Sequence, residues 1–291
     1  MEELAAMNRR HALIAYVLIA CTLVLALIAR AAETRTGSWT LSHSDQPGKV
    51  EFGLIYHSQH NNSNHQSDWP AGDFHGVDFA KSGRQDVKFA IARDAGRFEC
   101  EGYLDNGEGA GVFHFTPDDK YVSQMSALGF TGIDDEKQFS MAVLDVSVAY
   151  AKEIKSKNLH DLDTDKLIAF RIHGVTPEMV SFLRSAGYQP DEDKLIAMRI
   201  HGVSPEFMQQ LKSEGYDHID LDKLIAFRIH GVSPDFIDKI QTLGYKHPEP
   251  DQLVAMRIHG VSPEFISNLK SRGMKDLTID QLVSLRIHGI D

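Results

Sequence analysis

A nine-residue string, RIHGVSPEF, stands at 199–207 and again, letter for letter, at 257–265. RIHGVTPEM begins at 171, RIHGVSPDF at 228 and RIHGID at 286, so the five arginines step by 28, 29, 29 and 29 residues. A fixed period of about 20 to 50 residues is the mark of stacked supersecondary units, each burying its apolar face only against the next. The C-terminal half of this chain is therefore expected to be a helical array.

The punctuation inside each unit gives its local structure. DKLIAFRIHG is a helix of about two turns, closed by a glycine suited to the left-handed C′ position. In VSPEF the serine is the N-cap of a second helix and the proline takes its first position, where a missing N–H costs nothing. PDFIDKIQTLG at 234–244 places Phe236, Ile237, Ile240 and Leu243 on one face, and TIDQ at 278–281 has capping-box spacing. VSVAYAKEIKSKNL (146–159) aligns without gaps on VSPDFIDKIQTLGY (232–245), and FTPDDKYVSQMSALGF (115–130) resembles a second helix with two extra residues. Diverged repeats are thus expected over 116–160, and five clear units, the last a half, over 161–291.

Residues 36–115 follow a different period. SWTLS (38–42), KVEFGLIY (49–56), DVKFAIAR (86–93), RFECEGYL (97–104) and GVFHF (111–115) alternate apolar and polar, with turns at RDAG and DNGEGAG. They predict an antiparallel, sandwich-like meander of five or six strands. The connection at 57–76 is too polar for core and is expected to be a solvated loop. Its His57, His60, His65 and His75, with Asp68 and Asp73, are metal-ligand types in no defined spacing. Cys100 is expected to be a small buried hydrophobe.

Ala12 to Ala29 is an uncharged run of 18 residues behind Arg9 and Arg10. As a helix it spans about 27 Å, close to a bilayer core. The expectation is a single-pass anchor over 1–35 in the cytoplasmic membrane, with the rest extracytoplasmic. Cleavage at ARA (29–31), giving a secreted protein, and lipidation of Cys21 are the alternatives.

The whole chain is thus read as α+β: a transmembrane helix, a β region and an α-helical repeat array. The repeated arginines and histidines are the candidate partner-binding residues: Arg171, Arg199, Arg228, Arg257, Arg286, His173, His201, His230, His259 and His288. Layers about 8–10 Å apart are too widely spaced for a shared metal ion. Arginines so spaced suit carboxylates or phosphates. They also suit pairing with the acids that follow each proline (Glu178, Glu206, Asp235, Glu264) or stand near the first helix start, and either helix-end residue meets the carbonyl end of its helix favourably, so the slot is expected to be chiefly a fold-specifying hinge.

IHGVSPEF has some likeness to a helix-hairpin-helix, but serine or threonine replaces its second glycine. Residues 161–291 hold 15 Lys/Arg against 20 Asp/Glu, and the whole chain carries −11, so nucleic acid is not the expected partner. Cofactor motifs are lacking: there is no Gly-rich phosphate loop, G-x-S-x-G or H-E-x-x-H. His114, Asp118 and Asp119 could be assembled into an enzyme site only by free choice, so the chain is read as non-enzymatic, with a protein or peptide as partner.

These units resemble those of a family of bacterial exported or membrane proteins carrying MRIHGVSPEF, LKSxGY and DQLVAMRIHGV. They are also similar to repeats appended to membrane proteins of the BlaR1 antirepressor-peptidase type. The likeness covers 115–291, and RDAGRFECEGYLDNGEGAGVFHFTP (93–117) resembles the segment preceding such repeats. It implies envelope sensing or signalling, with a membrane peptidase or sensor as partner, and no chemistry of its own.

Overall fold

The computed structural model describes residues 35–57 and 62–290. The candidate anchor, Cys21 and His60 lie outside the described residues. Among the described residues no helix is long and apolar enough to cross a membrane. The architecture of the described residues is α+β: a six-stranded antiparallel sheet followed by twelve α-helices. Internal contacts divide it into two compact units. The first holds the described residues up to Gln124 with Ile133–Asp145, and the second holds Met125–Gly132 with everything described from Val146 onward. The segment 116–160 therefore contributes to both.

In the first unit the strands are β1 (Arg35–His43), β2 (Lys49–His57), β3 (Asn62–Pro70), β4 (Arg84–Arg93), β5 (Gly96–Asp105) and β6 (Glu108–Pro117). Their order across the sheet is β3-β2-β1-β6-β5-β4. Asn106 and Gly107 turn the β5–β6 hairpin at φ 53° and 85°, as the Asn-Gly pair requires.

Two expectations are corrected here. The segment expected to be a solvated loop supplies a strand: β3 pairs with β2 from Lys49↔Pro70 to His57↔Asn62. Its inward row is Ser63, His65, Ser67 and the buried Trp69, so the alternation is real but written in polar letters. Ser67 Oγ accepts the Trp69 indole N–H at 2.9 Å and lies 3.1 Å from His65 Nε2, and Ser63 hydrogen-bonds with Tyr56, which satisfies that row. The sheet is also not a sandwich. Trp69 on β3 meets Phe98 on β5 with centroids 6.3 Å apart, and Phe52 on β2 meets Phe89 on β4 at 6.3 Å. Each pair is four strands apart, about 19 Å in a flat sheet. The single sheet must curl until its inner faces touch.

The second unit is the repeat array. After α1 (Asp119–Ala127), and after α2 (Asp135–Val143), which covers the sheet through Phe139, come α3 (Val148–Ser156), α4 (Thr164–His173), α5 (Pro177–Ser185), α6 (Glu192–Ile200) and α7 (Pro205–Ser213). They are followed by α8 (Leu221–His230), α9 (Pro234–Thr242), α10 (Pro250–Ile258), α11 (Pro263–Ser271) and α12 (Ile279–Ile287). First helices of successive units stack on each other (α4, α6, α8, α10, α12), and so do second helices (α3 on α5, α9 on α11).

Thr176, Ser204, Ser233 and Ser262 cap the second helices, each accepting the N–H three residues on, with proline following. Thr278 and Gln281 form the expected capping box. Leu167 and Phe170, Leu195 and Met198, Leu224 and Phe227, and Leu253 and Met256 are buried at i, i+3 spacing, the core stripe of the first helices.

Candidate functional site

Every RIHG begins in the last turn of a first helix and ends on a left-handed glycine, with φ of 71°, 70°, 73°, 72° and 72° at Gly174, Gly202, Gly231, Gly260 and Gly289. The valine after it closes a Schellman motif: Val175, Val203, Val232 and Val261 N–H groups reach back to Phe170, Met198, Phe227 and Met256 carbonyls at 2.7–2.8 Å. Those valines are buried, so the hinge is anchored on both sides.

The arginines tie each unit to the one before it. Arg199, Arg228 and Arg257 donate through Nε to the backbone carbonyls of His173, His201 and His230 at 3.1–3.2 Å. Arg228, Arg257 and Arg286 lie over the rings of Phe207, Phe236 and Phe265, 4.8–5.0 Å from the centroids, and Arg171 lies over Tyr150 at 5.1 Å. Beneath Arg199 the equivalent position is Met179. A Cβ built on Gly174, Gly202 or Gly231 would stand 2.8–2.9 Å from the Nη2 of the next unit's arginine. Glycine is required here by its φ, and a side chain in its place would also have to displace the tip of the guanidinium lying against it.

The expectation that acids take up the ladder is corrected for Arg199, Arg228 and Arg257: their partner is the electron-rich C-terminus of the preceding first helix. The acids after each proline are engaged locally. Hydrogen bonds from Ser204 and from its own backbone hold Glu206 below the usual carboxylate range, and Asp235 pairs with Lys239 at 2.8 Å. Inter-unit ion pairs are made by lysines instead: Lys166, Lys194 and Lys223 meet Asp193, Asp222 and Asp251. Second helices have an analogous tie, in which Lys155, Gln241 and Lys270 donate to the carbonyls of Leu128, Glu214 and Leu243 at the end of the preceding second helix.

The histidines contribute mainly backbone. The imidazoles of His173, His201, His230 and His259 make no hydrogen bond among the described residues, while His288 Nδ1 lies 2.7 Å from the Ser284 carbonyl oxygen. Sequence reasoning missed the letter between them. Ile172, Ile200, Ile229, Ile258 and Ile287 are 53–58% exposed. Full burial of an isoleucine is worth about 1.5–3 kcal/mol. Singly, an exposed isoleucine needs no explanation. Five in one slot, beside residues whose packing is accounted for, do. The signal was present in the repeat itself, as an invariant apolar letter outside the i, i+3 core stripe.

The remaining candidates have ordinary surroundings. Among the described residues no three His, Cys, Asp or Glu side chains come together to hold a metal ion. His65 lies in β3, where burial lowers its pKa; His75 is exposed; Asp73 pairs with Arg93 at 2.7 Å. Cys100 is buried on β5, its thiol pushed up to about 12 by desolvation. His114 lies half-buried on β6, and the Asp118 carboxylate accepts the Lys120 N–H at 2.7 Å. Comparison of the chain with protein-family models, with curated proteins and with solved structures returns no match.

Proposed function

We propose that this protein is a non-enzymatic interaction module, tethered by its 12–29 segment to the outer side of the cytoplasmic membrane, whose repeat array grips an extended polypeptide. The observation that carries this reading is the exposed isoleucine in the same slot of five units. Stacked helical layers recur at about 8–10 Å. A polyproline-II segment repeats every three residues, or about 9.3 Å. A partner with an apolar side chain at every third position would meet one isoleucine per turn. Carboxylates between those positions would face the exposed Arg199, Arg228 and Arg257, which already hold one carbonyl each. The resemblance of the units to exported and membrane proteins supports the location and an envelope-sensing role.

The test is photocrosslinking of the full-length chain in its native membrane. A benzophenone residue is placed at Ile229 or at Ile258, and at Val112, 61% exposed on the sheet, as control. The expected result is one adduct shared by both ladder positions, absent at Val112, and lost when the other four ladder isoleucines are changed to serine. Unrelated adducts at the two ladder positions, or adducts indifferent to the serine changes, refute the reading.

A further inference from the structure

The 28-residue step between Arg171 and Arg199 is a deletion in one inter-unit linker. From the glycine after the second helix to the next N-cap, Gly215–Asp220, Gly244–Glu249 and Gly273–Thr278 each run six residues, whereas Gly187–Asp191 runs five. The missing residue is the one that adopts positive φ in the longer linkers: His218 at 57°, His247 at 51° and Asp276 at 61°.

The positive-φ residue of one linker stands over the tyrosine of the linker before it, as His247 does over Tyr216, so the lid for Tyr188 belongs to the full-length Gly215–Asp220 linker and not to the shortened one. Each linker tyrosine donates its hydroxyl to a carbonyl of the next linker: Tyr188 to Ile219, Tyr216 to Pro248 and Tyr245 to Leu277, at 2.6–3.0 Å. Tyr216 is covered by His247, with centroids 4.5 Å apart, and Tyr245 by Lys270, its Nζ 5.5 Å from the centroid. Among the described residues Tyr188 has no such cover. Its repeat-equivalent lid would be His218, which instead lies 3.7 Å from the Asp217 carboxylate. Gly215 has the His247 ring 3.5 Å from where its Cβ would stand, while Gly187 has nothing within 4 Å.

A cavity of about 480 Å³ opens at this place, walled by Phe182, Tyr188 and Met208, with Lys212, Asp217 and His218 at its lip. A second, of about 500 Å³, lies against the same Gly187–Tyr188 stretch and reaches Pro190 and Lys194. Volumes of this size hold small ligands, and apolar walls with a few polar groups at the lip are their usual lining.

The geometry points to a binding site for the aromatic side chain of a peptide. The ring lies against Tyr188 and Phe182 where the other junctions carry their own cover, and the peptide amides meet Asp217 and Lys212 at the lip. Both signs of charge stand there, paired at 2.9 Å, which suits a neutral amide rather than an ion. The site lies among the linkers, at the end of each unit away from the RIHG hinges, and is independent of the isoleucine ladder.

The test uses the full-length chain in detergent micelles with ¹³C-methyl-labelled methionine, the Met208 signal being assigned by Met208→Leu. N-acetyl-tryptophanamide is the probe and N-acetyl-alaninamide the control. A saturable, selective shift of the Met208 methyl, with a Kd on the order of 0.1–1 mM, is expected for a ligand of that size. The Ala186→Leu and Ser185→Leu variants, each putting a larger side chain into the cavity lining, are both expected to bind at least tenfold more weakly. Circular dichroism checks that each stays folded, and one folded variant suffices. Absence of a saturable shift, equal shifts with the alanine probe, or unchanged affinity in a folded cavity-filled variant overturns the assignment. Serine at the ladder isoleucines leaves this affinity unchanged.

Discussion

Arg228 and Ile229 are chain neighbours in one hinge with opposite surroundings, the arginine tied to the preceding unit and the isoleucine 53% exposed. In the Arg228→Gln variant the Nε–H bond to the His201 carbonyl at 3.2 Å and the stacking over Phe207 at 5.0 Å are both lost. A hydrogen bond from a charged donor is worth about 1.5–3 kcal/mol when buried and less at an exposed site. Cation–π contact at an exposed site adds about 0.5–1 kcal/mol, and the charge at a helix C-terminus about 0.3–1 kcal/mol. These overlap and glutamine recovers part of the polar contact, so the net loss is about 1–2 kcal/mol. Ile229→Ser removes a side chain already 53% exposed and is expected to cost less than about 0.5 kcal/mol.

The assay is native-state hydrogen exchange, because a stacked array need not unfold as one body. Arg228→Gln should raise exchange by about 5- to 30-fold, the equivalent of 1–2 kcal/mol, in α7 and α8 and little elsewhere. Ile229→Ser should leave exchange alone and weaken photocrosslinking. A stable Arg228→Gln would mean that the carbonyl contact is incidental and the arginines belong to the partner. Loss of more than about 1 kcal/mol in Ile229→Ser would mean that the isoleucine is packing, and the binding proposal would lose its central observation.

Two further outcomes follow from the hinges and linkers. Gly231→Ala must place a Cβ at φ 73° and displace the Arg257 guanidinium tip 2.8 Å away, so it should cost about 1–2 kcal/mol in urea unfolding. Gly187→Ala, with φ 89° and open space around it, should cost only the left-handed strain of about 1 kcal/mol. In alkali, burial raises the pKa values of Tyr150, Tyr188, Tyr216 and Tyr245, that of Tyr216 to about 12, so the folded state keeps protons that the unfolded chain releases near pH 10. Stability should therefore be intact below about pH 10 and fall from there towards 12. Absorbance at 295 nm would show the folded array titrating late, whereas tyrosines ionising together near pH 10 in a still-helical protein would contradict the buried hydroxyl contacts.

What could be read from the sequence depended on whether its letters reported their own environment. Helix ends did: serine before proline, the hinge glycine and Thr278 with Gln281 are local signals, and each sits where local chemistry requires. β3 did not, because Ser63, His65 and Ser67 face inward while reading as loop, and their satisfaction depends on neighbours: His65 and Ser67 on each other and on Trp69, Ser63 on Tyr56. Nor did the sheet's curl, which shows only when Trp69 meets Phe98 across four strands. The ladder falls between these cases. Repetition marked R, I, H and G equally, since any letter needed in every unit recurs, whether it binds the next unit or a partner. Contacts separate them: the arginine has a carbonyl and a ring in the preceding unit, the glycine a φ and a guanidinium, the histidine a backbone acceptor. The isoleucine has solvent. A fivefold apolar letter left more than half exposed is the place where the array's own stability stops explaining its sequence, and it is the observation on which the proposed partner rests.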